Sequence, residues 1–217
     1  MAERTPALDD RLEEIKGWYN RFDRGHDRRH VEAVVKQAIA LAEKHAPEQV
    51  LLAEIAAVYH DAGLVTGRDG HEVSGAHLVM LDPILLPVLN DEERLAVSNA
   101  VLQHRASTGA PETMLERIVA DADRAPISTA HAFMRAFVYG QLHFPQLGYM
   151  GLMRRAAHYA YEKYGPEGYG RHTHFPETSK IIAKTMQPIF DAYFGDDLQA
   201  YHDWLVQEGC EEAVTLE

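Results

Sequence analysis

The chain has 217 residues, enough to bury a substantial core, and its 46% hydrophobic content is ordinary for a globular protein. Acidic residues outnumber Lys and Arg by 33 to 21, and the resulting charge of −12 argues against nonspecific nucleic-acid binding, which needs a basic surface to displace phosphate counterions. No apolar run reaches membrane-span length, the N-terminal residues 1–6 lack a signal-peptide core, and the single Cys210 leaves no intramolecular disulfide, so a cytoplasmic protein is expected.

Apolar residues recur at three- and four-residue intervals in Val31, Val34, Val35, Ala38, Leu41 and Ala42, and again in Leu51, Leu52, Ile55, Ala56, Val58 and Tyr59. This spacing predicts two amphipathic helices. Gly63 follows the second and is expected to take the left-handed conformation that ends a helix. Asp82-Pro83 predicts a cap followed by proline at the first helical position, and Asp91-Glu92-Glu93 puts negative charge at another helix start. Pro111 and Glu112 open the run towards Asp123, Pro126 interrupts it, and residues 127–139 start a further helical segment.

Strand alternation is hard to find, so the fold class is all-α, a helical bundle. The irregular segments are residues 65–70, 107–111 and 165–176. The last reads Gly-Pro-Glu-Gly-Tyr-Gly-Arg-His-Thr-His-Phe-Pro, a composition suited to a loop that covers a cleft. One domain over residues 1–217 is expected, with a core at 26–125 and a C-terminal helical extension at 126–217 packed on it.

The residues that carry chemistry surround the doublet His60-Asp61, with His30 upstream and His71, His104 and Asp123 downstream. Neighbouring side chains on a helix diverge by roughly 100°, so the doublet can share one ion only if the chain turns there. Imidazole with carboxylate suits Mn, Fe, Ni or Zn better than the oxygen-only shells of Mg or Ca. If Asp61 bridges two ions, His30, His60 and Asp123 complete the first shell, leaving His71 and His104 for the second.

These residues resemble the HD-domain superfamily of metal-dependent phosphohydrolases, whose pattern H…HD…D reads here as His30, His60-Asp61 and Asp123. Around them, His30 to Ala38 is similar to the family's first metal-binding helix, Ala57 to Gly63 to its central signature, and Ala120 to Arg124 to its closing aspartate segment, with Asp123 and not Asp121 as the ligand. His71 with Gly75-Ala76, and His104 in Val101 to Arg105, resemble the two further histidine segments of members that hold a second ion. The resemblance covers residues 26–125, with a weaker echo near residues 178–194 of the closing helices in small bacterial nucleotide-pyrophosphatase-like members.

The resemblance implies an HD-like bundle with additional C-terminal helices and one or two divalent ions, Mn or Fe first, with Ni, Co, Zn or Mg as alternatives. It implies hydrolysis of a small phosphorylated metabolite or a nucleotide by metal-activated water. Asp61 and Glu72 are the expected catalytic residues, Glu72 as a proton acceptor or as a cap of the helix that starts at His71. Arg29, Arg68, Arg105 and Arg124, close in sequence to the ligands, are the expected phosphate clamps. Self-association is compatible with this reading. The alternatives are a diiron oxygenase of the same ligand order, although Leu64 stands where the inositol-oxygenase-like members carry lysine, and a regulatory module that binds a nucleotide without turnover.

Overall fold

The computed structural model describes residues 3–210, so the first two residues of the segment examined for a leader and the last seven of the expected extension lie outside it. Among the described residues there are helices and no strands. They run α1 (Pro6–Trp18), α2 (Arg28–His45), α3 (Val50–Tyr59), α4 (His71–Leu81), α5 (Asp91–Leu102), α6 (Met114–Arg124), α7 (Thr129–His143), α8 (Gly148–Tyr164), α9 (Pro176–Gly195) and α10 (Leu198–Gln207). No single helix here is long and apolar enough to cross a membrane. The chain divides after Ala125 into two compact units.

In the first unit α3 is the central element, packed against α1, α2, α5 and α6. The sequence pattern predicts an amphipathic α3, but residues 53–59 are all buried. The small alanines at 53, 56 and 57 let neighbours close around every face, as a helix apolar on all sides requires. Its one acid within that stretch, Glu54, is satisfied by Arg4, whose Nη1 lies 2.6 Å from Oε2. Around α3, the apolar faces of α2 (Val31, Val34, Ala38), α5 (Val97, Ala100, Val101) and α6 (Ile118, Val119) complete the core.

Local caps fix where these helices start. Asp27 caps α2, Asn90 and Glu93 form a reciprocal capping box on α5, and Thr113 and Glu116 do the same on α6. Helix α6 therefore begins at Met114, not at the Pro111-Glu112 expected from proline alone. Nor does a helix follow Asp82-Pro83: residues 83–88 form successive turns. Pro87 has no amide to bond back to Pro83 and disfavours helical backbone at Leu86. Asp82 instead becomes a buried junction, accepting from Arg11 Nε at 2.7 Å, Tyr59 Oη at 2.6 Å and the Ile84 amide at 2.9 Å.

The second unit is built from α7 to α10 around its own core, which includes Phe133, Phe137, Leu152, Met186, Ile189 and Tyr201. Ser128 caps α7 at Thr129, two residues after the expected start. The glycine-rich segment before α9 folds back on the end of α8 instead of projecting from it. A Cβ at Gly165 or Gly168 would collide with the Tyr161 or Lys163 carbonyl oxygen, which explains the glycines there.

Candidate metal centre

Each residue of the predicted donor set stands at a helix end in the first unit. Asp27 accepts from the His30 amide at 3.2 Å and so places His30 in the first turn of α2. His60 and Asp61 follow α3, His71 opens α4, His104 lies just beyond α5, and Asp123 occupies the last turn of α6. Ends of several helices thus meet at one point, where side chains from different elements can converge.

The doublet turns inward without a left-handed glycine. His60 keeps helical angles (φ −53°, ψ −45°), whereas Asp61 leaves them (φ −106°, ψ 5°) as the chain tightens into a 3-10 turn over Ala62–Thr66. Gly63 is not among the residues with positive φ, which corrects the expectation above. Its requirement is space: a Cβ there would collide with the His71 carbonyl oxygen and lie 2.5 Å from the Gly75 nitrogen. The bare backbone lets the turn carrying Asp61 lie against the first turn of α4, which carries His71. The left-handed position is Gly70 (φ 71°), just ahead of His71.

Two donor groups result, and Asp61 belongs to both. On one side Asp61 Oδ2 lies 3.1 Å from His60 Nε2 and 3.7 Å from His30 Nε2, while Asp123 Oδ1 lies 3.2 Å from His30 Nε2 and 3.8 Å from His60 Nε2. On the other, Asp61 Oδ1 lies 3.1 Å from His71 Nε2 and 3.5 Å from His104 Nε2. Donors about 2.1 Å from a shared ion stand roughly 3.0 to 3.4 Å apart at octahedral or tetrahedral angles. The spacing and the mixed nitrogen and carboxylate chemistry therefore fit a divalent cation. Asp61 is buried, while Asp123 keeps 20% of its side chain exposed and His71 10%, so the group reaches solvent on that side.

Three of the imidazoles are oriented by the same device. His60, His71 and His104 each donate Nδ1–H to the carbonyl three residues earlier, Ala57, Arg68 and Val101, at 2.7, 2.8 and 2.7 Å. This fixes the ring and turns Nε2 to the centre, where its lone pair binds metal once an ion displaces the proton shared with the carboxylates. Burial opposes the charge on Asp61, but charged His60 and hydrogen bonds from His104, His60 and His71 hold its carboxyl well below the usual carboxylate range. Asp123 is held down in the same way by the His30 hydrogen bond and the neighbouring imidazoles, against its burial. For His60, burial disfavours the cation and Asp61 outweighs it, raising the pKa. Two anionic carboxylates in a ring of imidazoles make a strong cation trap.

Tyr19 is a supporting residue that the sequence reading missed. Its buried hydroxyl donates to the Val58 carbonyl at 2.9 Å and accepts from the Asp61 amide at 3.2 Å, tying the end of α3 to the residue shared by both donor groups. The signal was present as the series Leu8, Leu12, Ile15 and Tyr19, all buried along one stripe running from α1 into the following turn. Tyr19→Phe is expected to cost about 1–2 kcal/mol of stability and to weaken metal affinity about tenfold. Calorimetric metal titration with a thermal melt checks this, and wild-type values in both would remove the phenol from the support of the site.

The expected phosphate clamps are placed differently from one another. Arg29 pairs with Asp27 at 3.0 Å and Arg68 approaches Asp23 at 3.4 Å, both about half exposed. Arg105 Nη1 lies 3.3 Å from both carboxylate oxygens of Glu72. Arg124 is only 5% exposed and bonds Asp121 on its own helix at 3.3 Å, which suits helix packing and not capture of a diffusing anion. Glu72 stands in the first turn of α4 beside His71, 3.4 Å from its Nδ1; burial opposes its charge, and its own amide and Arg105 lower its pKa nonetheless. His77 is exposed and, like His172 and His174, belongs to neither donor group.

Comparison with protein families gives one match, the HD domain, over residues 28–125. Neither the curated proteins nor the solved structures compared include a match to this chain.

Proposed function

Because residues 28–125 match the HD-domain family, we propose that the chain is a metal-dependent phosphohydrolase acting on a small phosphorylated metabolite or a nucleotide. The observation that carries this reading is the Asp61 carboxylate, with one oxygen turned to His30 and His60 and the other to His71 and His104. That arrangement favours two ions, with Mn or Fe preferred by the mixed imidazole and carboxylate donors. The chemistry a divalent pair supplies when bound is a more acidic water for attack and neutralisation of charge on phosphoryl oxygens.

The chain's own residues do the rest. His30, His60, Asp61 and Asp123 hold the first position, and Asp61, His71 and His104 the second. Arg68 and Arg105, one held by Asp23 and the other by Glu72, orient phosphate oxygens at the solvent-facing side near His71. Glu72 steers Arg105 through that pair and, once phosphate draws the guanidinium away, its carboxylate is free to accept the proton that the attacking water loses.

His71→Ala or His104→Ala is expected to lower metal content by about one ion per chain with the first position still filled. Elemental analysis of protein purified without chelator checks the stoichiometry, and a phosphatase and pyrophosphatase screen with Mn, Fe, Co, Ni and Mg checks the reaction. Unchanged stoichiometry in both variants would mean a mononuclear centre. Oxygen consumption by the iron-loaded protein without phosphate release would assign the oxygenase reaction instead.

A further inference from the structure

The second unit contains cations for which the metal chemistry has no use. Arg155 and Lys163 stand eight residues apart on α8 with Tyr159 midway, so the three share one helix face. The Arg155 guanidinium carbon lies 4.1 Å from the ring centre of Phe144, 5.4 Å from that of Tyr139 and 5.8 Å from that of Tyr159. Lys163 Nζ lies 5.1 Å from the Tyr164 ring centre and 5.9 Å from that of Tyr169. The hydroxyls of Tyr159 and Tyr169, 3.3 Å apart, join the two halves of the cluster.

Ring faces attract cations, but they do not replace the acceptors a guanidinium loses on burial. Arg155 Nη1 is buried with no hydrogen-bond partner. Among the described residues neither Arg155 nor Lys163 forms an ion pair, in a chain where acids outnumber Lys and Arg by 33 to 21. The one acid on α8, Glu162, is turned to His158 at 3.2 Å, and the neighbouring Arg154 does find an acid, Asp196, at 2.8 Å. A buried donor left open beside a second unpaired cation marks a place for an exogenous acceptor.

We infer that this face of α8 binds a polyanion of the di- or triphosphate class, with Arg155 and Lys163 each taking one anionic group and the tyrosines forming the wall between them. Eight helical residues rise about 12 Å, too far for one compact anion to engage both cations fully, whereas linked phosphates span such a distance. Arginine's fork suits phosphate oxygens, and lysine serves as a mobile point charge at the other end. Tyr169, 41% exposed, stands at the Lys163 end of the cluster, and Lys163 itself is part-exposed.

Calorimetric titration of the full chain with inorganic tripolyphosphate, in chelator to silence the metal centre, tests this site. Saturable one-to-one binding is expected in the wild type and in Asp61→Asn, weakened at least tenfold in Arg155→Met and in Lys163→Gln, with the metal content of the last two unchanged. Lys163→Gln decides alone if Arg155→Met does not fold, since Lys163 is part-exposed at the far end of the cluster. Absence of saturable binding by the wild type, full affinity in Lys163→Gln, or loss of binding in Asp61→Asn would each overturn the assignment.

Discussion

Asp61→Asn is expected to reduce the proposed phosphohydrolase activity by at least about a hundredfold while circular dichroism stays native. The substitution nearly preserves size, so the packing around the end of α3 and the hydrogen bond from the backbone N–H of residue 61 to the Tyr19 hydroxyl persist. It removes the charge from both oxygens that face the imidazoles and places an NH2 towards one histidine pair, where a lone pair is needed. Both ions should therefore be lost together, unlike the single-ion loss expected from His71→Ala or His104→Ala. Turnover by the folded variant close to that of the wild type would separate the reaction from this centre.

Gly63→Ala is expected to destabilise the protein by at least about 3 kcal/mol, and so to lower the melting temperature by roughly 10 °C. The added methyl would meet backbone atoms of the first turn of α4, the His71 carbonyl and the Gly75 nitrogen, which cannot swing aside as a flexible side chain could. Displacing that turn also moves His71 away from Asp61, so metal content should fall with stability. Gly17→Ala is the control: a Cβ at Gly17, on α1, meets nothing within 4 Å, and helix propensity predicts a neutral or slightly stabilising change. Equal melting of Gly63→Ala and wild type would show that the close approach of the two turns is unnecessary.

The donor set was legible in the sequence because metal ligation restricts residue type and order. All six residues named from that order, His30, His60, Asp61, His71, His104 and Asp123, are gathered by the structure, and Asp121 is turned away to Arg124. What surrounds them was less legible. A glycine signals either a left-handed backbone or a need for space, and only the packing of α4 shows that Gly63 serves the second and Gly70 the first. Proximity in sequence likewise left the direction of each arginine open, since neighbouring helical positions point to different faces. Tyr19 lay outside the span of the family resemblance, and its link to Val58 and Asp61 depends on how α1 packs on α3. The start of α6 was readable in principle from Thr113 and Glu116, a capping pair overshadowed by the nearby Pro111.

Reconstitution of the chelator-stripped protein with Mn or, anaerobically, Fe(II), following phosphate release on the best substrate from the screen, tests the central claim most directly. Activity should be absent from the stripped protein and rise with added ion to a plateau at about two per chain, and Asp61→Asn should remain inactive throughout. Full turnover in the stripped protein, or no phosphate release at any loading, would contradict the assignment of a metal-dependent phosphohydrolase.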